Sequence, residues 1–442
     1  MYGLDLSSPA VRVVRSAGAG PTAGLDKSSP YTAPTSLTSL DFSWFRTHLL
    51  TDILPRWLEL APTPSGFFRS TFDRQWRYTG PAEGTLVSQS RLLYTFATGY
   101  RLTGDPAYAD AVARGAEFLL RHFRDEQHGG WYWSCHETGG VLDDAKDSYG
   151  HAFVIFGLAH AADCLGDDAL RRAAVETWEV VHGPLTDAHG GLLPKTSRDF
   201  SQRLAAHSTQ NPMMHLFEAL LALGDAEGLG EIHTCARGIA DFVLDCRHRC
   251  RARARTAPER SGSCGAAQAG ALQPEVALPC GIPEMYLPDW TPLPTASGGR
   301  VDIGHQFEWA YLLSSAVERG FAGSYLDEAN ALLDFGLRFG YDLANGGIVA
   351  DAAQEDNRII RAEKGYWQQC ETIRALMHHA ALRGRAELWE PCQRTLDYSR
   401  RELIDPEFGG WYGGSDLHKG STWKLDYHIT GMCVEGMRLG HI

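Results

Sequence analysis

Closely spaced cysteines are missing from this sequence. Ten cysteines among 442 residues are too dilute for a disulfide scaffold, and no Cys-x-x-Cys pair is present to form a structural zinc site. Several of them lie inside helical patterns, where a free thiol acts as a small apolar residue: Cys164, Cys235, Cys370 and Cys433. The sequence therefore predicts neither a disulfide-bonded miniprotein nor a zinc-binding fold.

Long apolar runs and an excess of positive charge are also missing. The first twenty residues contain no apolar signal core, and the best internal apolar run, residues 151–165, is too short to span a bilayer. The 41 Lys and Arg residues are outnumbered by 54 Asp and Glu, which gives a net charge of −13. Nucleic acids and anionic membranes bind clustered basic residues, so we expect neither partner, and we expect a soluble, cytoplasmic protein.

A Gly-Gly pair recurs along the chain and indicates a repeat. Four of these pairs stand at residues 129–130, 190–191, 346–347 and 409–410. The first two begin 61 residues apart and the last two 63 apart, while the gap of 156 between them has room for one more unit and an insertion. An amphipathic helical pattern precedes each pair, and a more apolar helix begins about twenty residues after it. A period of this size is typical of a repeat architecture.

Six units, each with an outer helix, a turn and an inner helix, account for most of the chain. The predicted outer helices span residues 43–60, 106–123, 169–181, 230–245, 325–339 and 388–403. The predicted inner helices span residues 88–102, 147–165, 210–223, 304–317, 366–382 and 425–439. Six such pairs close into an all-α (α/α)6 barrel, or toroid, which has no open ends to cap. Short strands, such as residues 130–134 and 410–413, should form β-hairpins at one rim.

Two segments fall outside this repeat. Residues 1–37 are rich in Ser, Pro, Ala and Gly, and we predict a disordered N-terminal extension before a barrel domain at 38–442. Residues from about 247 to 280 form an irregular insertion that opens with a run of arginines. We favour disorder without function for this insertion, although its composition also fits out-of-frame translation of a GC-rich gene, which resequencing would test.

Polar residues begin each inner helix at matched positions. Tyr149, Asn211, Trp367 and His428 lie 20, 21, 21 and 19 residues after the first glycine of their turns. In a closed ring, equal offsets place these residues at one mouth, where they would line a small-molecule cavity. The full set is Arg91, Lys146, Tyr149, Asn211, His215, His305, Glu308, Trp367, Glu371, Trp423 and His428.

The histidines are the candidates for chemistry, because imidazole takes and returns protons near neutral pH. His305 and Glu308 are spaced i, i+3, so the carboxylate could orient the ring and raise its pKa. Taken singly, each residue could instead be a helix cap or a packing group, and a His/Glu cluster could also hold a metal. No HExxH spacing and no two-His-one-carboxylate spacing occurs within one element, so we predict no metal and no cofactor.

Several ordered motifs give the chain a family resemblance. They are GGWYWSCHETGGVLDDAKDSYGHAF, NPMMHLFEA, IPEMYLPDW, DIGHQFEWAYLL, KGYWQQCET and WKLDYHITGMCVE. From about residue 40 to the C-terminus, the chain resembles the N-acylglucosamine 2-epimerase superfamily and, within it, the mannose isomerase branch. The resemblance implies an (α/α)6 barrel and a metal-independent aldose–ketose isomerase that converts D-mannose to D-fructose through a cis-enediol.

The same resemblance implies residue roles. His428 would move the proton from C2 to C1, and His305, supported by Glu308, would assist ring opening and proton transfer to the oxygens. Arg91 would stabilise the enediolate, and His215 would bind sugar and take part in catalysis. The implied substrate contacts are Asn211, Tyr149, Trp367, Glu371 and Trp423. The Asp-Ile-Gly-His turn before His305 departs from the Pro-Gly-His turn that is more common in the family.

Three other functions stay open at this point. A sugar 2-epimerase acting on glucose and mannose, on cellobiose or on an N-acylglucosamine would use two histidines on opposite faces of C2. A glycoside hydrolase would need a pair of carboxylates at the mouth, whereas this mouth is rich in histidine. A non-catalytic sugar-binding protein would keep the Trp and Asn residues without needing two histidines. A monomer and a homodimer are both compatible with the sequence.

Overall fold

The computed structural model describes residues 40–226, 228–256 and 280–441. The predicted extension at residues 1–37 and residues 257–279 of the predicted insertion lie outside the described residues. Within the described part no helix is both long enough and apolar enough to cross a membrane.

Each helix of the outer layer buries one face, as its amphipathic pattern predicts. A five-residue π-helical segment, Leu49–Ile53, joins the first two of them. The outer helices are α1 (Phe42–His48), α2 (Leu54–Leu60), α4 (Pro106–His122), α6 (Asp168–His182), α8 (Ile232–Thr256), α10 (Ser324–Gly340) and α12 (Trp389–Glu402).

The inner layer consists of six helices that are buried on most sides. They are α3 (Leu86–Thr103), α5 (Ser148–Leu165), α7 (Asn211–Gly224), α9 (Ile303–Glu318), α11 (Tyr366–Leu382) and α13 (Tyr427–Gly440). Each inner helix packs against the next, and α13 packs against α3, so the ring closes. The outer helix of the first unit, α1, packs on the inner helix of the last, which joins the two ends of the repeat.

Short antiparallel strands lie where the inner helices begin. Their sheets are ordered β1-β2-β3, β4-β5, β6-β7 and β8-β9-β10, and each links the segment before an inner helix to the next unit. The strands are β1 (Glu83–Thr85), β2 (Ser134–His136), β3 (Val141–Asp143), β4 (Lys146–Asp147), β5 (Lys195–Thr196), β6 (Ser208–Thr209), β7 (Met285–Tyr286), β8 (Val301–Asp302), β9 (Asp351–Ala352) and β10 (Ile359–Arg361). The predicted (α/α)6 barrel with hairpins at one rim is confirmed.

Some predicted boundaries were wrong. Eleven of the twelve predicted helices end within two residues of the observed positions, but α8 continues to Thr256 instead of stopping at residue 245. Its extra turns are held by burial of Cys246 and Cys250 and by an ion pair between Arg247 and Glu328. The predicted strands at 130–134 and 410–413 are mainly single bridges, Arg124 with Trp131 and Ile404 with Trp411.

The Gly-Gly turns need glycine for two physical reasons. Both glycines of the pairs at 129–130, 346–347 and 409–410 have φ between 66° and 78°, which side chains disfavour. In the pair at 190–191, Gly190 also has a positive φ of 88°. Gly191 is required for close packing, because a Cβ atom there would lie 2.1 Å from Cζ2 of Trp290. Trp290 cannot easily move, since its indole donates a 2.7 Å hydrogen bond to Asp187 and it is almost fully buried.

We expect Gly191→Ala to lower the free energy of unfolding by about 1–3 kcal/mol, because the added methyl group overpacks the turn. Gly238→Ala in α8 is the matched control. A Cβ there meets no other atom within 4 Å, so the change should be neutral or stabilising by up to about 1 kcal/mol. Urea unfolding of both variants measures the difference, and equal stability of the two would contradict this account of the turn.

Candidate active site

A cavity of about 410 Å³ opens at the end of the barrel where the inner helices begin. The family resemblance assigns roles to ten residues, and eight of them line this cavity: Arg91, Tyr149, Asn211, His215, His305, Trp367, Trp423 and His428. The other two, Glu308 and Glu371, are fully buried next to these histidines. The structure thus brings all ten residues into one region.

His428 lies in the first turn of α13, with its Nδ1 2.8 Å from Oε1 of Glu371. Asp426, just before the helix, has a φ of 55°, a conformation that costs free energy in a residue with a side chain. It is held there by hydrogen bonds from Trp57 and Lys424 to its carboxylate. Burial, followed by the positive charge of Arg91, lowers the pKa of His428 well below its usual value. His428 is therefore a neutral imidazole at neutral pH, with Nε2 left for a ligand.

His305, in the first turn of α9, has the opposite charge state. Its Nδ1 lies 2.7 Å from Oε2 of Glu284, and the same oxygen accepts a 2.8 Å hydrogen bond from Gln210. Burial disfavours a charged ring, but Glu284 and Asp302 outweigh it and raise the pKa of His305 to about 10. His305 is therefore protonated at neutral pH and can donate a proton from Nε2.

Glu308 was expected to support His305, and its charge is among those that raise the pKa of His305, but it makes no hydrogen bond to the ring. Glu284 makes that hydrogen bond, whereas both carboxylate oxygens of Glu308 are buried without a hydrogen-bond partner among the described residues. Burial and the nearby charge of Glu371 raise the pKa of Glu308 well above its usual range. The i, i+3 spacing placed the two side chains on one helix face, but the neighbouring chain segment supplies a carboxylate closer to the ring.

His215 also pairs with a carboxylate, and here the i, i+3 spacing does produce the contact. Its Nδ1 lies 3.3 Å from Oε2 of Glu218, which also accepts a hydrogen bond from the hydroxyl of Tyr427. Burial lowers the pKa of His215. Burial raises the pKa of Glu218, but hydrogen bonds and charges from its neighbours prevail and bring it to about 2. Glu218 is therefore ionised beside a neutral imidazole.

Arg91 projects from α3 into the cavity wall with its guanidinium group fixed. It donates 2.7 Å hydrogen bonds to the hydroxyl of Tyr149 and to the carbonyl of Trp423. The guanidinium carbon also lies 4.3 Å and 4.9 Å from the ring centres of Phe153 and Tyr427, a favourable cation–π arrangement. A permanent cation is thus held in place beside the three histidines.

Aromatic rings and one amide complete the cavity. Trp367 packs against both His305 and His428, with its ring centre 4.8 Å from that of His305 and 5.5 Å from that of His428. Trp423 is 53% exposed at the mouth, 5.9 Å from the ring of Tyr149. The side-chain oxygen of Asn211 is buried with no hydrogen-bond partner in the described chain, so it is available to a hydroxyl group. Sugars bind to surfaces that combine such rings and polar groups.

Four residues of the site were not predicted from the sequence, and one predicted residue lies elsewhere. Glu218, Glu284, Arg374 and Tyr427 contact the predicted residues but were not selected. Glu218 could have been found from its spacing to His215, whereas Glu284 lies in the irregular segment before α9, 21 residues from His305, so no helical spacing links the two. Lys146 is not in the cavity wall, because it is fully buried in an ion pair with Asp125 below a Gly-Gly turn.

Two overlapping groups of buried side chains could in principle hold a metal ion. They are His215, Glu218 and Glu308, and Glu308, Glu371 and His428, with ligand atoms within 4.8 Å of one another. In both groups, however, the histidine and its carboxylate contact each other directly. A guanidinium nitrogen of Arg374 also lies 3.5 Å from Glu371, and a fixed cation there opposes a second one. The donor set therefore suits proton transfer better than metal binding.

Known proteins resemble this chain over most of its length. The family model for N-acylglucosamine 2-epimerase (GlcNAc 2-epimerase) matches residues 66–431. A D-mannose isomerase from Marinomonas mediterranea is 27% identical, covering 85% of this chain and 92% of the relative. A cellobiose 2-epimerase from Bacteroides fragilis is 24% identical, covering 88% of this chain and 96% of the relative.

The fold is also similar to that of a crystallised D-mannose isomerase. The TM-score is 0.77 at 23% identity, over 90% of this chain and 97% of that one. With a family model matched from residue 66 to residue 431, the chain belongs to the N-acylglucosamine 2-epimerase family and is a sugar isomerase or epimerase.

Proposed function

We propose that this protein is an aldose–ketose isomerase that interconverts D-mannose and D-fructose without a metal ion. The observation that best supports this proposal is the different charge of two cavity histidines that both pack against Trp367. His305 is protonated, whereas His428 is neutral. An acid and a base that stay distinct at one pH are what a hydrogen shift between adjacent carbons requires. Similarity to D-mannose isomerases supports the choice of sugar.

The proton transfer begins at C2 of the open-chain aldose. Nε2 of His428 takes the C2 proton, a double bond forms between C1 and C2, and the C1 carbonyl oxygen takes a proton from His305. The product is a cis-enediol. His428 then returns its proton to C1, while the O2 proton goes back to His305 and C2 becomes the ketone. Both histidines end in their starting states, so no other reactant is needed.

Arg91 supplies the electrostatic part of the reaction. Negative charge develops on the oxygens as the C2 proton leaves, and a preorganised cation stabilises that charge without rearranging. The hydrogen bonds from Arg91 to Tyr149 and to the carbonyl of Trp423 fix the guanidinium group before sugar binds. Asn211, Trp367 and Trp423 are the expected sugar contacts, and Glu371 orients His428 through Nδ1.

A 2-epimerase is the second candidate, and His215 is the observation that favours it. Epimerisation at C2 needs a base on each face of that carbon, and His215 is a second neutral histidine in the cavity wall. His305, with its pKa of about 10, is a proton donor rather than a base at neutral pH. The two functions differ in product, because a 2-epimerase would form glucose from mannose.

EDTA-treated protein is expected to convert D-mannose to D-fructose in D2O, followed by proton NMR. His428→Ala should lower the rate by about 10²–10⁴-fold, because it removes the base. His160→Gln is the control, since His160 is a half-buried barrel histidine outside the cavity wall, packed on Tyr94 and Phe156.

The products separate the alternatives in this assay. Glucose in place of fructose would favour the 2-epimerase, and loss of activity after EDTA that Mn²⁺ or Zn²⁺ restores would contradict the metal-free reaction. Mannose that stays unchanged, with its C2 proton retained, would contradict the proposed substrate.

Glu284→Gln should lower the pKa of His305 by about 1–3 units, because the carboxylate that favours the charged ring is lost. The reaction needs protonated His305, so activity is lost as pH rises through that pKa. The alkaline limb of kcat/KM, near pH 10 in the wild type, should move to lower pH in the variant. Asp289→Asn, an exposed carboxylate in the same segment, is the control. An alkaline limb unmoved by Glu284→Gln would rule out this role for Glu284.

A further inference from the structure

Beneath the sugar cavity lies a largely buried cation, with 12% of its side chain exposed, that the proposed reaction does not use. Arg374 lies in α11, one turn after Glu371, with a guanidinium nitrogen 3.5 Å from Oε2 of Glu371 and 3.9 Å from Oε1 of Glu218. These are the carboxylates that pair with His428 and His215. A single arginine therefore contacts both histidine–carboxylate pairs from below.

The position of Arg374 is fixed from the opposite side. Its guanidinium carbon lies 3.8 Å from the ring centre of Tyr311, a close cation–π contact. Behind it, a second cavity of about 270 Å³ lies among the C-terminal halves of the inner helices and is lined by Arg374, Glu218, His160 and Arg319. Arg374 thus separates the sugar cavity from this back cavity and is not itself part of the sugar-cavity wall.

The titratable groups around Arg374 are carboxylic acids, tyrosines and histidines from four other inner helices. From α3 comes Tyr94, from α7 His215 and Glu218, and from α9 Glu308 and Tyr311. From α13 come Tyr427 and His428. Two of these neighbours, Glu218 and Glu308, and Glu371 itself are buried carboxylic acids, and the charge of Arg374 favours the ionised form of all three.

The ionisation of Glu371 determines which nitrogen of His428 carries the proton. An ionised Glu371 accepts a hydrogen bond from Nδ1–H, which leaves Nε2 unprotonated and able to act as a base. A protonated Glu371 would donate to Nδ1, and the proton of the neutral ring would then sit on Nε2, where it blocks the reaction. Burial raises the pKa of Glu371 to about 7, and Arg374 opposes that rise.

We infer that Arg374 is a positioning residue that keeps Glu371 ionised and so holds His428 in the tautomer with a free Nε2. This inference rests on the proposed function, because it assigns His428 as the base. It also gives Arg374 a role without contact to the sugar.

The pH dependence of kcat/KM tests the inference. Activity needs ionised Glu371, so it is lost as pH falls through the pKa of that group. Arg374→Met removes the cation, the pKa of Glu371 rises, and the acidic limb should move up by about one to two pH units. Arg374→Lys keeps a positive charge and should hold the limb close to the wild-type position. Arg319→Met is the matched control, because Arg319 lines the same back cavity but pairs with Asp225.

Three outcomes would overturn the inference. These are an acidic limb that does not move in Arg374→Met, a limb that moves as far in Arg374→Lys, or one that moves equally in Arg319→Met. If Arg374→Met does not fold, Arg374→Gln carries the same expectation, because it also removes the charge.

A second measurement needs no sugar and so separates this inference from the proposed function. Without Arg374, an ionised buried Glu371 is more costly, and the cost disappears when the group is protonated. The contacts of Arg374 with ionised Glu218 and with Tyr311 are lost at every pH in this range, but the loss of stability in Arg374→Met should grow further as pH rises from 5.5 to 8.5 and Glu371 ionises. If the wild type does not isomerise mannose but this pattern appears, the proposed function fails while the charge coupling stands. A loss of stability independent of pH would contradict the coupling.

Discussion

Closure of the inner ring is the constraint on which the rest of the structure depends. Because α13 packs on α3 and α1 packs on α13, all six inner helices begin around one axial space. Each inner helix is buried on most sides, so polar side chains are tolerated chiefly at its start, where they face the cavity or pair with one another. Arg91, His215, His305 and His428 come together for this reason, although more than 300 residues separate the first from the last.

Because the three histidines are buried, the charged groups beside each ring determine its pKa. In water the three rings would have similar pKa values, but inside the barrel the charged form is stable only beside enough negative charge. Glu284 and Asp302 raise the pKa of His305 in spite of its burial, whereas burial and the charge of Arg91 lower the pKa of His428. One site thus contains an acid and a base of the same residue type. Arg374 extends the same principle by controlling the charge on the carboxylates behind the histidines.

The sequence was sufficient for the fold and for most of the cavity wall. The Gly-Gly period and the apolar inner helices predicted six units, and the polar residues that begin the inner helices, four of them at matched offsets from a turn, included eight lining residues. Contacts between distant segments could not be predicted in this way. Glu284 reaches His305 from the irregular segment before α9, 21 residues away, so the i, i+3 pattern selected the same-helix neighbour Glu308 instead. The end of α8 was missed because its last turns are held by Arg247 and Glu328, a tertiary contact, and not by an apolar repeat.

His305 and His428 differ in protonation state, and NMR of their ring nitrogens measures this difference. Protein labelled with 15N-histidine would be observed at pH 7.5, with His305→Gln and His428→Gln used to assign the two signals. Both ring nitrogens of His305 should be protonated, whereas His428 should be neutral with its proton on Nδ1. Two neutral rings, or a protonated His428, would contradict this expectation.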